Sequence, residues 1–232
     1  MIKRIDVHII LHHEQDRSEN VKKIVRILND EPVNIYFIQS ESSCIGEWRF
    51  RGWSAGEAEF CTFIDDDDLP IPKIFKHIIK CFDDEPAIDG CWTREFVKHV
   101  NKATEHRQIY ADRRHWKVPH HLVTYRKESI LPYLPVIRDC PQTAEHTLSA
   151  LLLLNDARIK HINEIGYIWN VHEGSTDASR GKPTFHQKTE DIYRELANKI
   201  LSENKRSHIP EQGWLNPPLP PNGGGTIYIA SG

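Results

Sequence analysis

Residues 5–38 run apolar, then amphipathic, then apolar again, and that order leaves few folds open to the chain. Ile5 to Leu11 is a short β-branched run with the pattern of a buried strand. A polar loop, His12 to Gln15, follows, and Asp16 with Glu19 three residues on forms a capping box for a helix. Val21, Ile24, Val25 and Leu28 give that helix one apolar face, and Pro32 separates it from a second buried strand, Val33 to Ile38. Strand, helix, strand at this spacing is a βαβ unit, which implies parallel pairing and a right-handed crossover.

A third strand, Phe60 to Ile64, runs directly into Asp65, Asp66, Asp67 and Asp68. Another helix is expected between Ile45 and Gly56, where Gly46, Gly52 and Gly56 interrupt the pattern. Beyond the aspartates, Pro72 suits a first helical position, and Ile74, Phe75, Ile78, Ile79 and Phe82 repeat at helical spacing. The aspartates therefore occupy a strand-to-helix loop at the carboxyl edge of a parallel sheet, where ligands bind in open α/β folds. Further on the alternation breaks down. Strands are expected at Ile88 to Val97, Val118 to Tyr125, Ile159 to Ile162 and Ile165 to Val171, with helices at Thr143 to Leu154 and Gln187 to Leu201. The chain reads as one α/β domain over residues 1–207: a Rossmann-like βαβ half, 1–97, then a mixed-sheet half, 98–207. Residues 208–232, with Pro217, Pro218, Pro220 and Pro221 before Gly223, Gly224 and Gly225, form a flexible or extended tail.

Length supports one domain: 232 residues hold a full α/β core but scarcely two. A net charge of -3 argues against binding driven by the whole surface, while leaving room for a local basic groove. Cys44, Cys61, Cys81, Cys91 and Cys140 are odd in number and contain no C-x-x-C pair, which speaks against a disulfide framework and a cysteine zinc site. The cysteines, charged residues ahead of any apolar run at the start, and the absence of a run of roughly 20 apolar residues together give a cytoplasmic expectation with no transmembrane segment.

Four adjacent carboxylates repel one another unless a cation neutralises them. A divalent ion answers that need, and oxygen ligands suit Mg²⁺ or Mn²⁺, which bind one or two carboxylates and leave positions open for phosphate oxygens. The plain alternative is a solvated acidic turn at a helix start.

The wider context is more specific than the aspartates alone. Arg49, Gly52, Ala55, Glu59, Phe60, Phe63, Ile64, Asp65, Asp67, Asp68 and Pro72 resemble, without a gap, the pattern A-R-N-x-G-x-x-x-A-x-G-E-Y-x-x-F-L-D-x-D-D-x-x-x-P of family 2-like glycosyltransferases of the GT-A fold. Glu145 with the helix after it, then Ile159 to Val171, then His172, Gly174 and Ser175, resemble that family's closing segments, so the likeness covers most of residues 5–180. It implies a single GT-A domain, a nucleoside diphosphate sugar as donor (a UDP-sugar foremost), and hexosyl or pentosyl transfer with inversion. By the same likeness Asp65 and Asp66 lie on the nucleotide side with His12, Ser40, Glu41 and Arg49. Asp67 is the metal ligand, with Asp65 beside it and His172 as a further metal or diphosphate contact. The catalytic base comes from Glu145 or from His146, which stands where the family's usual second acid would be; Asp139 is close enough in sequence to compete. Two loops depart from the pattern, at His12 with His13 and at Gln39, Ser40 and Glu41, and leave the nucleotide open.

Residues 98–121 carry Lys98, Lys102, Arg107, Arg113, Arg114 and Lys117 with interleaved histidines. An anionic acceptor is expected there: a phosphorylated glycan, a phospholipid-linked sugar, or nucleic acid gripped through its backbone. Tyr110 and Trp116 would stack on a sugar or a flipped base. The competing readings are a nucleotidyltransferase and a GT-A-like module that binds carbohydrate or nucleic acid without catalysis. The sequence is silent on oligomeric state.

Overall fold

The computed structural model describes residues 4–12, 17–39, 44–99, 107–110, 121–140, 144–171, 191, 192 and 195. Its first three strands are β1 (Ile5–Leu11), β2 (Val33–Gln39) and β3 (Phe60–Asp65). β1 pairs in parallel with both others, Ile9 lying opposite Phe37 on one side and Ile64 on the other. Helices α1 (Ser18–Leu28) and α2 (Ile45–Ser54) make the crossovers. The two-residue β4 (Leu69–Pro70), α3 (Ile74–Asp84), β5 (Gly90–His99), β6 (Arg107–Tyr110) and β7 (Val123–Arg126) come next. Short helices α4 (Lys127–Ile130) and α5 (Leu134–Arg138), joined by a 3₁₀ turn, lead to α6 (Ala144–Leu154) and the long β8 (Ile159–Val171).

The sheet runs in the order β2-β1-β3-β7-β5-β8-β4, with β6 paired to β5. β7 is antiparallel to β3 and to β5, and β5 is parallel to β8, so strands from both halves of the sequence share one mixed sheet. Period-two alternation sorts the strand residues into two cores. Ile5, Val7, Ile9, Phe60 and Ile64 face Ile24 and Leu28 of α1 and Ile74, Phe75, Ile78 and Phe82 of α3. Ile10, Cys61 and Phe63 face Trp53 of α2 and the apolar residues of α4, α5 and α6. The result is helices on both faces of the sheet. All five cysteines carry free thiols. Among the described residues, no helix is long and apolar enough to cross a membrane.

Several element ends differ from the sequence reading. The N-cap of α1 is Arg17, with no side-chain cap hydrogen bond, and Asp16 lies outside the described residues. α3 begins two residues beyond Pro72, because Lys73 takes a left-handed φ of 71° and the chain turns before it coils. The strand expected from Val118 starts at Val123, after a turn in which Leu122 has φ 45°. The two strands expected within residues 159–171 are one, with Ile162 opposite Thr93 and Ile165 opposite Arg94, so Asn163 and Glu164 form a bulge instead of a turn. Gln187 to Leu201 is described at residues 191, 192 and 195, all helical, and the boundary at 207 and the tail lie outside the described residues.

Candidate active site

Asp65 ends β3, and strand alternation turns it to the same face as Cys61 and Phe63, toward α2 and α6. There Arg49, in the middle of α2 and 4% exposed, grips it through both oxygens, at 2.9 and 3.0 Å. The same guanidinium donates Nε–H to Glu145 at the start of α6, and it sits 3.5 Å above the centroid of the Phe63 ring. One buried cation thus ties together two carboxylates that are eighty positions apart in sequence (145 − 65). Burial alone would raise the Asp65 pKa, but the charge and hydrogen bonds of Arg49 outweigh it and hold the carboxyl at about 2.

The next three aspartates turn back over the edge of the sheet. Asp66 is buried; its N–H donates to Ile10 carbonyl at 3.1 Å, and its carboxylate accepts from the His12 N–H at 2.8 Å. His12 Nδ1 lies 2.7 Å from Asp66 Oδ1, and Arg17 Nη1 approaches the same oxygen at 2.8 Å. Arg17 Nη1 also reaches Asp67 Oδ2 at 2.6 Å. Asp68 is buried and accepts from Tyr167 Oη–H at 2.8 Å and from the Asn170 N–H at 2.7 Å. Asn20 of α1 clamps the turn by donating to the carbonyls of Asp66 and Asp68, and Asn170 of β8 donates to that of Asp67.

Charge is distributed unevenly over this turn. Burial, followed by the neighbouring Asp67, pushes the Asp68 pKa well up, toward the neutral acid. Burial works against a charged His12, yet its bond to Asp66 and the fields of Asp65, Asp66 and Asp67 raise it overall. Behind the turn His121, paired with Glu95 at 2.7 Å and stacked on Tyr167 at 5.2 Å, is raised to about 9; burial opposes that shift and Glu95 overcomes it. The chain's own Arg49, Arg17 and His12 therefore answer much of the repulsion that the sequence alone assigned to a metal.

Of the sequence candidates, Arg49, Asp65, Asp66, Asp67, His12 and Glu145 come together at this edge. His146 follows Glu145 on α6 and is half-buried. Asp139 is exposed at the end of α5 and lines a surface depression of about 770 Å³ with Cys44, Glu47, Phe50, Pro135 and Arg138, none of them from the aspartate turn. Ser40, Glu41 and His172 lie outside the described residues, although β8 carries the chain to Val171, next to Asn170 and hence to the turn. Within residues 98–121, His121 is not a solvated surface group but the buried partner of Glu95, with a side chain 10% exposed. Arg17, Asn20, Tyr167 and Asn170 had no local sequence signal, since each reaches the turn from 46 to 103 residues away.

Among the described residues, no group of three or more His, Cys, Asp or Glu side chains is placed to hold a metal ion. Asp65 has both oxygens on Arg49, Asp66 is 3% exposed in its side chain, and Asp67 is 19% exposed. Mg²⁺ and Mn²⁺ manage with one or two carboxylates when phosphate oxygens and water complete the shell. With a side chain 19% exposed, Asp67 could serve such a cation as a single carboxylate ligand.

The mixed sheet, with parallel strands β2, β1 and β3 and an acidic turn closing β3, has the GT-A fold. Among solved structures the chain is similar to S. aureus TarS 1–349 in complex with UDP-GlcNAc, with a TM-score of 0.56 at 17% identity over 85% of this chain and 66% of that one. TarS 1–349 in complex with UDP gives a TM-score of 0.52 at 15% identity over 85% and 65% of the two chains. The chain thus spans just under two thirds of the length of each, and at these identities the likeness is one of fold. No protein-family profile matches the sequence, and neither does any curated protein.

Proposed function

We propose that this protein is a glycosyltransferase that moves a sugar from a nucleoside diphosphate sugar to an acceptor hydroxyl with inversion at the anomeric carbon. The observation that carries the reading is the buried Arg49, which joins the last residue of β3 to the first turn of α6. It brings Asp65 and Glu145, from two segments of the glycosyltransferase-like pattern far apart in sequence, to one edge of the sheet. The TarS complexes contain UDP-GlcNAc and UDP, so a UDP-sugar is the first donor to test.

In this reading His12 and Trp48, edge to face at 5.4 Å, stand beside the nucleotide. Asp67, with His172 as the second candidate contact, holds Mn²⁺ or Mg²⁺, which supplies positive charge to the departing diphosphate. Glu145 is a positioning residue, because its Oε1 already accepts from Arg49. The adjacent His146 is the base that takes the proton of the acceptor hydroxyl as the hydroxyl oxygen attacks, an exchange an imidazole performs near neutral pH. The basic composition of residues 98–121 favours an anionic acceptor.

Incubation with a panel of UDP-, GDP- and TDP-sugars, with release of nucleoside diphosphate as the readout, tests the reading. Slow hydrolysis of one sugar nucleotide is expected. His146→Ala lowers kcat roughly 100- to 10,000-fold with little change in melting temperature. Glu145→Gln chiefly lowers stability. Full activity in His146→Ala with complete loss in a stable Glu145→Gln would give the base to Glu145, and binding without turnover across the panel would leave a binding module.

A further inference from the structure

Arg17 stands in an unfavourable place for its own helix. It occupies the N-cap of the eleven-residue α1, where a Ser, Thr, Asp or Asn would cap a backbone N–H and where the helix dipole repels a cation. It makes no side-chain cap hydrogen bond there. Its guanidinium is spent on the aspartate turn, with Nη1 2.8 Å from Asp66 Oδ1 and 2.6 Å from Asp67 Oδ2. A local rule broken without local gain is the pattern expected of a residue kept for function.

The partners of Arg17 show what that function is. Asp66 does not depend on it: His12 serves both oxygens, through its N–H at 2.8 Å and through Nδ1 at 2.7 Å. Asp67 is where the donor's cation would land, and that cation would compete with the guanidinium for Oδ2. When a diphosphate and its cation reach this edge, Arg17 can therefore leave both carboxylates without stranding either. The side chain is 13% exposed and that of its partner Asp67 is 19% exposed, so solvent reaches this pair. A guanidinium is a planar fork of donors matched to phosphate oxygens.

We infer that Arg17 is a diphosphate-binding residue of the donor site, which rests on Asp66 and Asp67 until the donor arrives and then transfers to the phosphates. The inference depends on the donor reading above. It also makes Arg17 an internal competitor of the divalent ion at Asp67, so that the empty site disfavours free metal and the donor-loaded site favours it.

Calorimetric titration of wild type, Arg17→Gln and Arg17→Lys with UDP, uridine and Mn²⁺ separately tests it. In Arg17→Gln, UDP affinity falls roughly 10- to 100-fold while uridine affinity is unchanged. Arg17→Lys recovers part of the loss, since charge returns without the fork. Mn²⁺ alone binds Arg17→Gln more tightly than wild type. Undiminished UDP binding in Arg17→Gln, or an equal loss of uridine and UDP, would overturn the assignment of Arg17 while leaving the donor reading in place. Failure of the wild type to bind UDP or uridine would sink both.

Discussion

Strand β1 begins and ends in buried acid–base chemistry, and its two ends are built on opposite plans. At its start Asp6, 0% exposed, accepts from Asn34 Nδ2 at 2.9 Å, Ala58 N–H at 2.9 Å and Lys127 Nζ at 3.1 Å. The remaining donors of Lys127 go to the carbonyls of Ala55 and Gly56 at 2.6 and 2.7 Å. Every partner belongs to the chain, and nothing is left over for a ligand. At the other end Asp65, Asp66 and Asp67 are also supported by chain cations, but the Asp67 side chain is 19% exposed whereas that of Asp6 is wholly buried. A closed network serves the fold, and an open one of the same chemistry can exchange a partner.

Substitutions that remove a buried partner should separate the two ends most strongly. Asp6→Ala strands Lys127 and Arg49→Ala strands Asp65 and Glu145, so each loses about 3–5 kcal/mol in urea denaturation. The difference appears in binding: folded Asp6→Ala keeps wild-type affinity for UDP, whereas Arg49→Ala does not. Equal affinity in both would show that the aspartate edge is as closed as the Asp6 network.

Acid and base should attack the two ends separately. His8, stacked on Tyr36 at 5.3 Å beside the Asp6 network, is lowered to about 4 by burial. The unfolded chain therefore takes up its proton first, and the contribution of His8 is full above pH 6.5 and lost as pH falls toward 4. His121, behind the aspartate turn, is raised to about 9. Its contribution is full below pH 6.5 and lost as pH rises through 9. The contributions of His8 and His121 are roughly 3 kcal/mol each and both are full near pH 6.5, so together they favour the fold most near neutrality. His8→Gln should flatten the acid limb alone, and His121→Gln the alkaline limb alone.

Gly56 tests how tightly the closed end is packed. Its φ is +76°, and a Cβ there would overlap Asp6 Oδ2. Gly56→Ala should cost roughly 2 kcal/mol in thermal unfolding without altering UDP affinity. An unchanged melting temperature would mean that the Asp6 network can relax.

The sequence was most informative where period and position act locally. The runs at Ile5–Leu11 and Phe60–Asp65 are buried on both faces of the sheet, so apolar continuity marks them; Val33–Gln39 shows the same continuity at the sheet edge, where Phe37 is exposed. The helices at 127–138 are too short to show a helical period in the sequence, and Pro132 and Pro135 each sit in the first turn of a segment, where proline costs no hydrogen bond. Arg49, Asp65 and Glu145 were legible as a pattern, but their meeting through one guanidinium was not, because tertiary packing sets it. Arg17 and the Glu95–His121 pair gave no signal, since a lone arginine before a helix and a histidine in a basic stretch look the same whether solvated or buried.

The smallest expected effect on the fold is the largest on function, and it bears most directly on the donor site. Asp67→Asn keeps the side chain's size but weakens its pairing with Arg17, and should unfold within about 1 kcal/mol of wild type. In a thermal-shift titration, UDP should raise the melting temperature of the wild type and Mn²⁺ should raise it further, while Asp67→Asn shows no Mn²⁺ increment. The same Mn²⁺ increment in both proteins, or no shift with any nucleoside diphosphate, would contradict a donor held at Asp67.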